Sequence, residues 1–313
     1  MRGKHQLIAL AVLAFERGRR SHVIPASFDY VRPKSLSEAV ALLGKNPEAK
    51  ILAGGHSLIP YMRFRIATPP MVIDINQITE LAYIKEEGDW LRLGAMTREA
   101  DIDRSDLVRK KYPLLADTAR VVADPLVRNM ATVGGNIAHA DPANDHPATM
   151  LAYAAEIVAT GPKGARTLKI ADFFRGAFET ALAGDEILTE IRIPKARPRS
   201  GGAYFKLERK VGDYATAAVA AQIALDGNGA VASAGIGLTN VGLTPILGTA
   251  AGESLRGRKL DDAAIEKAAA LAAEAAQPLE DHRGSEAYKR HLVRTLTHRA
   301  LSRARERAQA SGA

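Results

Sequence analysis

Hydrophobic positions fall along the chain in short blocks with two different periods, and the order of those blocks sets the expected architecture. Ser35 and Glu38 have capping-box spacing, Ala39, Val40, Leu42 and Leu43 share one helical face, and Gly44 is placed to end that helix. An apolar run at 50–53 reads as a strand and opens directly into Gly54, Gly55, His56 and Ser57. After Pro69 and Pro70 a second apolar run, 71–75, reads as another strand. A helix followed closely by two strands predicts a small α/β lobe.

Residues 78–198 read as a second lobe. Leu91 and Leu93 alternate with Arg92 as in a strand, and 113–122 carries a helical pattern with proline at its start. Residues 190–193 alternate polar and apolar before Pro194, and the following stretch KARPRSGG, 195–202, has linker composition. Farther on, 217–225 and 230–238 flank Asp226, Gly227, Asn228 and Gly229, a strong hairpin signal. An Ala-rich helix is expected over 261–276, stopped by Pro278. Another is expected over 285–308, with Tyr288, Leu292, Leu296 and Ala300 on one side and arginines around the rest. That basic face reads as a solvated surface, with docking to an acidic partner as the alternative.

Charge and composition narrow the function. The chain has 313 residues and a net charge of +8; residues 1–22 carry +4 and 285–313 carry +5, which leaves −1 for 23–284. A neutral body with basic ends lacks the basic stripe of a nucleic-acid binder. No apolar run approaches the ~20 residues that cross a bilayer. Within 1–22, an apolar stretch at 7–15 runs into Glu16, Arg17, Arg19 and Arg20 without a small-residue cleavage pattern, so it reads as a leader outside the domain rather than a secretory signal. The chain contains no cysteine. It can therefore hold no disulfide, thiol nucleophile, Cys-ligated zinc or iron–sulfur cluster, and redox chemistry would need an organic cofactor or a partner chain.

Two glycine turns carry the candidate chemistry. One is Ala53, Gly54, Gly55, His56 and Ser57; the other is Thr132, Val133, Gly134, Gly135 and Asn136, running on to His139. Paired glycines let backbone approach a ligand and turn successive N–H groups toward one anion. Ser57, Thr132 and Asn136 add side-chain donors, and two such turns in separate lobes would clamp the two phosphates of a dinucleotide. Plain tight turns remain the alternative for either one. Gly235 and Gly237 supply two glycines of a dinucleotide fingerprint, but Asn240 replaces the third and Pro245 interrupts the helix that should follow, so the segment reads as strand and turn. His291 and His298 read as surface residues. His56 and His139, inside the glycine segments, read either as ligand contacts or as residues fixing loop geometry. No catalytic residue and no metal ligand is assigned.

From Val23 to the C-terminus the chain resembles the FAD-binding medium subunit of molybdenum hydroxylases of the carbon monoxide dehydrogenase and xanthine dehydrogenase type. The motifs that carry the resemblance are IPASFDYVRP, AGGHSLIPYMRFR, DPLVRNMATVGGNIAHADPANDHPA, DEILTEIRIP and FKLERKVGDYATAAVA, in that order. It implies an α+β fold: a two-lobed FAD-binding domain of the PCMH type over 23–198, with lobes of about 23–77 and 78–198, then a C-terminal domain of antiparallel strands plus helices over 199–313. It implies that Leu52, Ala53, Gly54, Gly55, His56, Ser57 and Leu58 wrap the FAD pyrophosphate with their backbone. Thr132, Val133, Gly134, Gly135 and Asn136 would do so from the other lobe, with His139 nearby. Asp145 matches an acid contacting the nucleotide, Ile187 and Leu188 an apolar contact, and Lys206 a lysine reaching the flavin site. Tyr214 matches an aromatic position near the isoalloxazine ring, or is a core tyrosine at a strand start.

With no cysteine for a thioether, the FAD would be noncovalent. The molybdenum cofactor would sit on a large partner subunit and two 2Fe–2S clusters on a small one, in a cytoplasmic dimer of heterotrimers without nucleic acid or membrane span. This chain would pass electrons from the clusters to an external acceptor. A self-contained FAD-dependent oxidase or reductase and a cofactor-free binding module remain as alternatives.

Overall fold

The computed structural model describes residues 24–311; the leader reading of 1–22 lies outside the described residues. β1 (Asp29–Val31), β2 (Lys50–Leu52) and β3 (Met71–Asp74) form a parallel sheet in the order β1-β3-β2. Between the first two runs the helix Leu36–Lys45, which buries Ala39, Val40 and Leu43. Ser35 Oγ accepts from the Glu38 N–H at 3.2 Å, and the Glu38 carboxylate accepts from the Lys34 N–H at 2.8 Å. Gly44 does not end the helix. It lies inside the last turn, and Asn46 caps the end because its Nδ2 donates to Leu42 O at 2.8 Å, which glycine has no side chain to do.

The second sheet is antiparallel: β4 (Ile84–Glu87), β5 (Trp90–Gly94), β6 (Glu156–Gly161), β7 (Gly164–Lys169) and β10 (Ile187–Pro194), in the order β4-β5-β10-β6-β7. β8 (Phe174–Gly176) and β9 (Glu179–Thr180) make a small separate ribbon. Leu91, Leu93, Ile191 and Ile193 from the sheet pack with Leu114, Leu115, Ile137 and Met150 from the helices that cover it.

The third sheet, β11 (Ser200–Leu207), β12 (Ala217–Leu225), β13 (Val231–Thr239) and β14 (Ile246–Leu247), is antiparallel in sequence order. Its hairpin closes as expected, with Asp226 Oδ1 accepting from the N–H groups of Asn228 and Ala230 at 2.9 Å each. The expected linker is shorter than 195–202, because β11 already begins at Ser200. A Cβ on Gly201 would lie 2.3 Å from Ala304 O and 2.5 Å from Ala308 N, so the glycine lets strand and C-terminal helix touch. Likewise a Cβ on Gly235 or Gly237 would lie 2.0 Å from Ala152 O or Ala148 O. The two glycines of the broken fingerprint are where the helix His146–Tyr153, buried at all eight positions, lies on β13.

The helix Asp262–Ala275 starts at Asp261, whose Oδ1 accepts from the Ala264 N–H at 2.8 Å. The last helix, Glu286–Ala310, buries Leu292, Val293, Leu296, Ala300, Leu301, Ala304 and Ala308. Tyr288 is not on that stripe: it is 45% exposed, and Lys289 takes the buried place. The loop before the helix decides this, since Lys289 Nζ reaches both Asp281 Oδ2 and Leu279 O at 2.8 Å. Much of the helix's positive charge is spent internally, with Arg294, Arg303, Arg305 and Arg307 paired to Glu266, Glu306, Asp262 and Asp117. Among the described residues no helix is long and apolar enough to cross a membrane.

Candidate functional site

The first glycine turn leaves β2 and enters the short helix Leu58–Arg63. Asn76 Nδ2 holds the Ala53 carbonyl at 2.8 Å. Gly55 has φ +78°, a backbone shape that favours glycine, and Gly54 has no room for a side chain: a Cβ there would lie 2.5 Å from Met130 O and 2.7 Å from Ala131 Cα. The two turns therefore abut. Among the described residues the N–H groups of Gly54, Gly55, His56, Ser57 and Leu58 donate to no carbonyl or side chain. Five successive donors at one turn are left free to bind solvent or an anion.

The second turn works differently. It opens the helix Val133–His139, and Thr132 Oγ1 caps it by accepting from the Gly135 N–H at 3.2 Å. The N–H of Val133 donates to Thr97 O at 3.1 Å and that of Gly134 to Ala95 O at 3.0 Å, so neither is free for a ligand. This turn offers bare Cα surface, the Thr132 hydroxyl and the Asn136 side chain. Val133 itself is fully buried in the core, packed away from the turn's open side.

Between the turns lies a cleft of about 720 Å³, within the usual range for small-molecule sites. Ala53, Gly54, Gly55, His56, Ser57 and Leu58 line it from the first turn, and Thr132, Gly134, Gly135, Asn136 and His139 from the second. Asp145, Ile187, Leu188, Lys206 and Tyr214 complete the residues singled out in the sequence. Leu52 and Val133 are the two that do not line it. Leu52 ends a strand, and its Cδ1 supports the turn from below, 3.3 Å from where a Gly55 Cβ would sit.

The polar groups of the cleft are tied together. Asp145 is buried and accepts from Tyr204 Oη at 2.6 Å and Lys206 Nζ at 3.1 Å. Burial raises the Asp145 carboxyl above its ordinary value, against the pull of the Lys206 charge. Lys206 Nζ also donates to Val121 O at 3.1 Å. His139 packs edge-on to Tyr61 at 5.5 Å and lies 5.2 Å from Phe178, and burial lowers its pKa, which keeps the ring neutral. Tyr214 is 47% exposed at the cleft, so it is not a core tyrosine; desolvation of its hydroxyl, with the charge of Asp141, pushes it up to about 12.

Tyr61 and Phe178 also line the cleft and escaped the sequence reading. Tyr61 stands one helical turn beyond Ser57, to whose carbonyl its N–H bonds at 3.1 Å, so that spacing was an available signal. Phe178 lies in a loop at φ +61° and had none.

An elongated cofactor with paired phosphates fits these residues. The unpaired N–H run can meet an anion, and Gly54 and Gly135 both line the cleft where the two turns come together. Among the described residues Asn136 Oδ1 and His139 Nε2 are buried atoms without a hydrogen-bond partner, so a ligand can use them. Among the described residues no group of three or more His, Asp or Glu could hold a metal ion.

Comparison with known proteins agrees with this geometry. Residues 26–196 match the family model described as FAD binding domain in molybdopterin dehydrogenase, and residues 202–304 match that of the CO dehydrogenase flavoprotein C-terminal domain. The chain is 46% identical over 288 residues to the carbon monoxide dehydrogenase medium chain of Afipia carboxidovorans, covering 92% of this chain and 100% of that one. It is 38% identical to the glyceraldehyde dehydrogenase medium chain of Sulfolobus acidocaldarius, covering 88% of this chain and 98% of that one. A solved carbon monoxide dehydrogenase from Hydrogenophaga pseudoflava superposes with a TM-score of 0.88 at 46% identity, covering 91% of this chain and 99% of that chain.

Proposed function

We propose, from the premise that this chain belongs to the family of FAD-binding medium chains of molybdopterin dehydrogenases, that it is the electron-transfer subunit of a multi-chain molybdenum and iron–sulfur hydroxylase. In this reading 23–198 is the two-lobed FAD-binding domain, divided near residue 77, and 199–313 the C-terminal flavoprotein domain. A small partner subunit carries two 2Fe–2S clusters and a large one the molybdenum cofactor, in a cytoplasmic dimer of heterotrimers. The chain receives electrons from the small partner and delivers them to an external acceptor. Its lack of cysteine supports placing the thiolate-held clusters elsewhere.

The observation that carries the reading is the abutment of two glycine turns over one cleft, with five unpaired N–H groups on the first. Those N–H groups would hold the pyrophosphate, and the Thr132 hydroxyl and Asn136 would hold it from the other side. Ile187 and Leu188 would exclude water. Asp145, fixed by Tyr204 and Lys206, would accept hydrogen bonds from the nucleotide. Tyr214 would cover the isoalloxazine ring. FAD, when bound, supplies a centre that accepts two electrons and releases them singly or in pairs. Relatives named for carbon monoxide and for glyceraldehyde match 92% and 88% of this chain, which supports placing substrate choice on the large partner.

Reconstitution tests the proposal. The molybdenum and iron–sulfur partner subunits are reduced with substrate, this chain carrying FAD is added, and the flavin absorbance is followed by stopped flow. Bleaching only with all three chains present is the expected result. Bleaching of the isolated chain by substrate would make it an independent flavoenzyme instead.

A further inference from the structure

Behind the cleft, one pair of side chains holds both glycine turns. Asn76 Nδ2 donates to Ala53 O, the carbonyl leading into Gly54, at 2.8 Å. Arg98 donates through one guanidinium nitrogen to Asn76 Oδ1 at 2.6 Å and through another to Met130 O. Met130 O is the atom that a Cβ on Gly54 would strike. Asp74 steadies Asn76 by accepting from its N–H at 2.9 Å and its Nδ2 at 2.6 Å, while Tyr30 Oη donates to the second Asp74 oxygen. The backbone around Arg98 grips the second turn as well: the Glu99 N–H donates to Ala131 O at 3.0 Å, and Arg98 pairs with Thr132 as an isolated antiparallel bridge. Neither Asn76 nor Arg98 lines the cleft.

We infer that Arg98 and Asn76 are positioning residues that form a brace setting the gap between the two glycine turns, and through it the affinity for the pyrophosphate of the cofactor. The inference rests on the FAD reading above. A guanidinium suits the task because its planar fork directs donors at two acceptors in a fixed geometry, which a single ammonium does not reproduce. The brace crosses from the parallel sheet, where Asn76 follows β3, to the segment after β5, where Arg98 precedes the helix Glu99–Arg104. Loss of either side chain leaves the turns in place along the chain but frees their separation.

The test uses the full chain, titrated with FAD and read by flavin fluorescence. Arg98→Met and Asn76→Ala are each expected to weaken FAD binding by about tenfold or more, the size of a lost hydrogen bond to a charged group. The double variant is expected to be no weaker than the worse single one within about twofold, because both remove the same strap. Arg98→Lys should recover part of the affinity. At saturating FAD the visible circular dichroism of the flavin should differ between Arg98→Met and wild type, a signature that simple loss of stability does not produce. Far-UV spectra and melting of the FAD-free samples identify folded variants; if Arg98→Met does not fold, Arg98→Lys and Asn76→Ser carry the comparison. FAD affinity within twofold of wild type in the folded single variants, or additive losses in the double one, would overturn the brace alone. A wild-type chain that binds no FAD would overturn the functional reading and the brace with it.

Discussion

Lys206 and Asp145, 61 positions apart, meet at 3.1 Å as an ion pair whose side chains are 3% and 8% exposed. Two charges so fully removed from water stabilise each other mainly by preventing an unpaired buried charge. Lys206→Met leaves the Asp145 carboxylate with Tyr204 alone, and is expected to destabilise the chain by about 3–5 kcal/mol. Adding Asp145→Asn to that variant should return part of the loss. Urea unfolding of the FAD-free chain measures both, and a loss under about 1 kcal/mol for Lys206→Met would show that water reaches the pair.

The glycines of the two turns should not respond alike. Gly54→Ala drives a Cβ into Met130 O and Ala131, both backbone, whereas Gly135→Ala first meets the Thr132 Oγ1, which rotates. Gly54→Ala is expected to cost about 1–3 kcal/mol and to weaken FAD binding strongly. Gly135→Ala should cost less on both counts. Equal losses would mean that the turns do not abut as described.

Gly235→Ala is the matching control outside the cleft. Its Cβ would lie 2.0 Å from Ala152 O, so helix and sheet must part. Stability should fall by about 1–3 kcal/mol or more, with FAD affinity of the folded fraction within about twofold of wild type. A selective loss of FAD affinity would put a nucleotide site at the broken fingerprint.

These contrasts show which parts of the molecule local sequence could reveal. Ser35, Asp226 and Gly229, and the two glycine turns announce themselves because cap, hairpin and tight turn are set by neighbours in sequence. The use of Gly201 and Gly235 is invisible there, since the atoms they make room for, Ala304 O and Ala152 O, belong to distant helices. The same holds for the second turn. Nothing within 132–136 says that Thr97 and Ala95 will take the N–H groups of Val133 and Gly134. Lys289 displaced Tyr288 from the buried stripe because a loop supplied Asp281, and Arg98 and Asn76 entered the site only through partners brought together by folding.

A second buried pair gives a pH dependence. His146 and Glu99 are both fully buried and 2.6 Å apart. Burial opposes charge on His146, yet the Glu99 carboxylate outweighs it and holds the imidazole above its ordinary value. A raised folded value means stability that is complete below the unfolded value, about 6.5, and lost as pH rises through the folded one. Wild type should therefore lose stability as pH rises above about 6.5, and His146→Gln should lack that slope. Parallel pH profiles for the two proteins in urea would contradict the protonated pair.

The central claim, that FAD lies across the first glycine turn, is tested most directly by hydrogen–deuterium exchange of the full chain with and without FAD. Among the described residues the N–H groups of Gly54 to Leu58 have no partner, so their exchange should be fast without FAD and strongly slowed by it. The helix Val133–His139, whose first N–H groups are already bonded, should change less. Unchanged exchange across 54–58 at saturating FAD, or protection confined to another part of the surface, would contradict the account.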